Sequence, residues 1–95
     1  MNHVIIKKIF QMRDSFEETE NGEAIAFLNH ILAYLYEYRN QLCGTENEFY
    51  IPGKYDLVMA DKILFSLGYR RYSITYEPES IFFCEHTVIT FRNIL

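Results

Sequence analysis

Residues 55–77 read YDLVMADKILFSLGYRRYSITYE, and within this stretch the hydrophobic period changes. From about Tyr55 to Leu67 the apolar residues Leu57, Ala60, Leu64 and Leu67 recur every three or four positions, with Ile63 alongside. That is the period of an amphipathic helix. Gly68 supplies its stop. Beyond Arg71 the period becomes two: Tyr72, Ile74 and Tyr76 alternate with Arg71, Ser73, Thr75 and Glu77, as in a half-buried strand. A helix delivering the chain into a strand sets the class as α+β.

The chain on either side completes the picture. Pro78-Glu79-Ser80 reads as a turn, and a return strand is expected from Ile81 to Phe91. This strand places Ile81, Phe83, Ile89 and Phe91 on one face and Phe82, Cys84 and Val88 on the other. A strand apolar on both faces is either central or covered twice, and Glu85-His86-Thr87 predicts a bulge or bend within it. Upstream, Phe49-Tyr50-Ile51 followed by Pro52-Gly53 predicts a short strand over residues 48–51 and a type II turn.

Two helices precede that strand. Ile5, Ile9, Met12 and Phe16 space a first helix over about residues 3–18. The second, from about Glu23 to Leu42, carries two adjacent apolar rows, one through Ile25, Leu28, Leu32 and Leu35 and one through Ala24, Phe27, Ile31 and Tyr34. It is the expected spine. At the junction, either Gly22 takes a left-handed cap or Asn21 caps the second helix.

The expectation is therefore a single α+β domain over residues 1–95: two N-terminal helices, a short strand, a third helix and a C-terminal antiparallel β-hairpin. This order of elements looks like a winged-helix module, in which the third helix reads DNA and the hairpin is the wing. The resemblance implies a polar or basic face on that helix. The chain offers Asp56, Asp61, Lys62 and Ser66 there, a poor reader of phosphate or bases, so such a fold is expected to serve protein contact.

Composition narrows the function classes. A net charge of −4 is the reverse of what phosphate neutralisation requires, so nucleic acid is disfavoured as a partner. No apolar run approaches the roughly 18 residues of a membrane span, and the N-terminal Val4-Ile5-Ile6 run is too short for a signal peptide. A cytoplasmic protein is expected. Cys43 and Cys84 lie in apolar sequence and read as buried free thiols. On a strand, Cys84 and His86 would share a face about 7 Å apart, too far for joint chelation without a bend. No catalytic fingerprint is present, so neither metal, cofactor nor enzymatic activity is expected.

Aromatic residues make up 17% of the chain, eight Tyr and eight Phe, more than a domain of this size readily hides. Surface Tyr suits protein contacts. Candidate partner-binding residues are the acidic corner Glu17, Glu18, Glu20 and Glu23, the ring of Tyr36 that must leave the main core, and the start of the hairpin at Arg70, Arg71 and Tyr72. The Ala26/Ala33 strip, with Asn29 and His30, could accept a second helix and so a homodimer. These features favour a small acidic protein that binds a protein partner and acts by occlusion, as an immunity protein or a phage-encoded inhibitor of a nuclease or defence enzyme does. The alternatives are a winged-helix-like DNA-binding regulator using Arg70, Arg71 and Arg92, or an accessory subunit of a larger complex.

Overall fold

Apolar spacing builds the helices, and capping fixes where they end. In the computed structural model, which describes residues 3–38 and 46–92, α1 spans His3–Glu18 and α2 spans Gly22–Tyr38. Between them the N–H of Asn21 bonds the Phe16 carbonyl at 2.9 Å and that of Glu20 bonds the Glu17 carbonyl at 3.2 Å, the paired pattern of a Schellman cap. The residue in the left-handed region is Glu20, at φ 56°, not Gly22. Asn21 caps α2, its Oδ1 accepting from the Ala24 N–H at 3.2 Å. The expected continuation of α2 to Leu42, and Cys43 with it, lies outside the described residues.

β1 (Glu46–Pro52) precedes α3 (Leu57–Leu67), with β2 (Tyr72–Glu77) and β3 (His86–Arg92) closing the chain. Gly53 takes the positive φ of 105° that the Pro52-Gly53 pair anticipates. Asp56 caps α3 through Oδ1, which accepts from the Val58 N–H at 3.0 Å, and Gly68 ends it at φ 109°.

The three strands form one antiparallel sheet in the order β1-β3-β2. Register places Phe49 opposite Ile89 and Ile89 opposite Ile74, so Phe49, Ile51, Ile74, Thr87, Ile89 and Phe91 share the face that meets the helices. The core joins that face to Ile9, Phe27, Leu28, Ile31 and Leu35 of α1 and α2 and to Ala60, Ile63, Leu64 and Leu67 of α3. Thr87, the one fully buried polar side chain among the described residues, donates its hydroxyl to the Gly53 carbonyl at 3.0 Å, which removes the desolvation penalty of an unpaired hydroxyl. The opposite face carries Glu48, Tyr50, Ser73, Thr75, Glu77, His86, Val88 and Thr90, and none of the described helices covers it.

The expected return strand is corrected at its beginning. β3 is central, but it starts at His86, so Ile81 to Glu85 are loop. The cause is local. Ser80 Oγ accepts from the N–H groups of Phe82 and Phe83, each at 3.2 Å, and the Ser80 N–H bonds the Phe83 carbonyl at 2.9 Å. A serine-anchored turn of this kind gives the main chain an alternative to the ladder.

Candidate protein-binding site

The loop between β2 and β3 turns three consecutive large apolar side chains outward. Ile81 is 91% exposed, Phe82 79% and Phe83 68%. Scattered exposed apolar residues are ordinary, whereas a contiguous patch marks a contact surface. Cys84 is exposed as a free thiol, a second correction: with the strand beginning at His86, nothing presses Cys84 into the core.

Acidic residues flank the triplet in the chain. Glu77 ends β2, Glu79 sits in the loop, and Glu85 leads into β3. Glu85 Oε1 accepts from the Tyr76 hydroxyl at 2.6 Å, and that bond raises the Tyr76 phenol above its ordinary pKa, with smaller contributions from burial and the nearby carboxylates. On the open face Tyr50 donates to Glu48 Oε1 at 2.7 Å and its phenol is raised chiefly by that bond. Beneath Phe83 lies a groove of ≈ 530 Å³ lined by Tyr50, Glu77, Phe83, Cys84 and His86. His86 is held across it: its Nδ1–H donates to the Cys84 carbonyl at 3.0 Å, and its ring lies 5.4 Å from that of Tyr50.

The residues singled out from sequence are dispersed. Glu17, Glu18 and Glu20 are exposed at the α1–α2 corner. Glu23 has a structural engagement, its Oε2 accepting from the Asp56 N–H at 3.0 Å and so tying the start of α2 to the start of α3. Tyr36 projects from α2, 57% exposed. Arg70 folds back on α3: its guanidinium donates to the carbonyls of Phe65 and Tyr69 and stacks 3.9 Å from the centre of the Phe65 ring. Arg71 is exposed. Tyr72 is half-buried and donates its hydroxyl to Asp61 Oδ1 at 2.7 Å, joining β2 to α3. On the Ala26/Ala33 strip, His30 meets Tyr55 edge to face.

Among the described residues no group of three or more His, Cys, Asp or Glu side chains could hold a metal ion, and no helix is long and apolar enough to cross a membrane. Sequence periodicity passed over Ile81, Phe82 and Phe83 by assigning them to a strand. Three apolar residues in succession violate the alternation of a half-buried strand, and Pro78 with Ser80 is turn chemistry. No protein-family model, curated protein or solved structure compared with this chain matches it.

Proposed function

We propose that this chain is a protein-binding module that acts by occlusion, inserting Ile81, Phe82 and Phe83 into an apolar pocket on its partner. The observation that carries the reading is the outward exposure of those three side chains on a loop anchored by Ser80. Burying a large apolar side chain contributes about 1.5–3 kcal/mol, and anchors of this kind dominate interface energetics. Glu77, Glu79 and Glu85 select a partner whose pocket has a basic rim, which speeds encounter and disfavours wrong partners. A basic enzyme such as a nuclease fits that requirement, and blocking one without catalysis is what immunity proteins and phage-encoded inhibitors do. The setting that suits an exposed Cys84 is a reducing cytoplasm.

The solvent side of α3 does not favour the DNA-binding alternative. It presents Val58, Asp61, Lys62 and Phe65, with Arg70 spent on the Phe65 ring. Tagged full-length chain, expressed in its native host, is expected to capture one protein at near-stoichiometric yield. The variant carrying Ile81→Ser, Phe82→Ser and Phe83→Ser is expected to lose it while keeping its circular dichroism spectrum. Absence of such a protein, or its retention by the variant, overturns the proposal.

A further inference from the structure

The strand order leaves β1 and β2 as the two edges of the sheet, and the two edges are treated differently. On β1, the outward main chain of Tyr50 is occupied by a side chain of the same molecule: its N–H donates to the Tyr34 hydroxyl at 2.9 Å, and that hydroxyl donates to its carbonyl at 3.1 Å. Pro52 ends the strand without an N–H to offer. Among the described residues no side chain or loop bonds the main chain of β2 in this way.

The register says which groups of β2 are left. Because Tyr50 points its N–H and carbonyl away from β3, its opposite number Val88 points its own toward β2, where it meets Thr75. Antiparallel ladders alternate residue by residue. Ser73, Thr75 and Glu77 therefore turn their main chains inward to β3, and Tyr72, Ile74 and Tyr76 turn theirs outward.

We infer that β2 pairs with β2 of a second copy of this chain, antiparallel about a two-fold axis at Ile74, to form a continuous six-stranded sheet. That register sets Ile74 against itself and Tyr72 against Tyr76 of the second copy, which uses every outward main-chain group of the strand for about six hydrogen bonds. On the open face it sets Ser73 against Thr75, and it sets Arg71 against Glu77 of the second copy, twice. Both of these side chains are exposed in the single chain. Shifting the axis to Ser73 or Thr75 keeps the hydrogen-bond parity but shortens the overlap; at Ser73 Arg71 meets Thr75, and at Thr75 it meets Glu79, which lies past Pro78 and outside the strand. Pairing also covers the remaining surface of the half-buried Tyr72, Ile74 and Tyr76. The interface is small, so a dissociation constant on the order of 10–100 μM is expected.

Sedimentation equilibrium on the purified full-length chain tests this without any other partner. Wild type is expected to be a dimer at about 1 mM and largely monomeric at about 1 μM. Arg71→Glu and Glu77→Arg, each setting like charges opposite, are each expected to weaken dimerisation roughly tenfold. The double variant with both substitutions is expected to regain it. Ile74→Pro, which removes an outward N–H that β3 does not use but also the Ile74 side chain packed against the core, is expected to give a monomer; should it fail to fold, the charge exchange decides alone. A chain that stays monomeric at about 1 mM, a dimer indifferent to both single reversals, or a double variant that does not recover each overturns the proposal.

Discussion

The hydroxyl of Tyr34 accepts the N–H of Tyr50 at 2.9 Å and donates to its carbonyl at 3.1 Å, while the Tyr34 ring stacks on Phe49 at 4.2 Å. One side chain of α2 thus serves both the interior and the edge of the sheet. Tyr34→Phe keeps the stack and removes only the hydroxyl. It is expected to cost about 1–2 kcal/mol, measured by urea unfolding, and to speed hydrogen exchange at the Tyr50 amide.

Alkaline pH is expected to destabilise the fold through two phenols. Burial pushes Tyr69 up to about 12, and among the described residues its hydroxyl has no hydrogen-bond partner. Tyr72 also stands at about 12, raised by burial first and then by its bond to Asp61, with Arg70 opposing. Each holds its proton more tightly folded than unfolded. Stability from these groups is therefore complete below about pH 10 and is lost as pH rises from about 10 to 12. Unfolding midpoints across that window should fall. Tyr69→Phe should flatten the fall and leave neutral-pH stability equal or higher by up to about 1 kcal/mol, because a buried unpaired hydroxyl is removed.

The acidic corner divides under substitution. Glu23→Ala removes the acceptor for the Asp56 N–H and is expected to cost about 1 kcal/mol in thermal or chemical unfolding. Glu17→Gln and Glu18→Gln, on exposed positions, are expected to change stability by less than about 0.5 kcal/mol. Glu20→Gly should stabilise by about 0.5–1 kcal/mol, since it relieves a side chain held at φ 56°.

The exposed triplet should separate binding from stability. Replacing Ile81, Phe82 and Phe83 by Ser is expected to leave the unfolding midpoint within the error of measurement, because none of them belongs to the core. Solubility should rise, and hydrophobic-dye binding to the native protein should fall.

The helices and the half-buried alternation of β2 were legible because their apolar residues keep a single period over two or more turns or repeats, and the short strand because an apolar run precedes Pro52-Gly53. Register was legible only in part. Ile89 and Phe91 read as core, but the same alternation carried back to Ile81 gave a strand where Ser80 organises a turn. Local hydrogen bonding there outweighs β propensity, and periodicity does not register it. The same error hid the candidate site, since the three rings and branches now facing solvent had been assigned to the interior. Asn21 and Gly22 left two capping geometries open. The structure satisfies both helix ends at once by putting Glu20 in the left-handed position, an arrangement that glycine preference alone argues against.

The unequal edges of the sheet also bear on how far association can go. A strand array with two unpaired borders can add copies at both and lengthen without limit, which is the route to fibres. Here the outward main chain of one border is occupied at Tyr50 by the Tyr34 hydroxyl, so under the proposed pairing the border left over is the partly blocked one. Addition of a third copy along the sheet is thereby disfavoured.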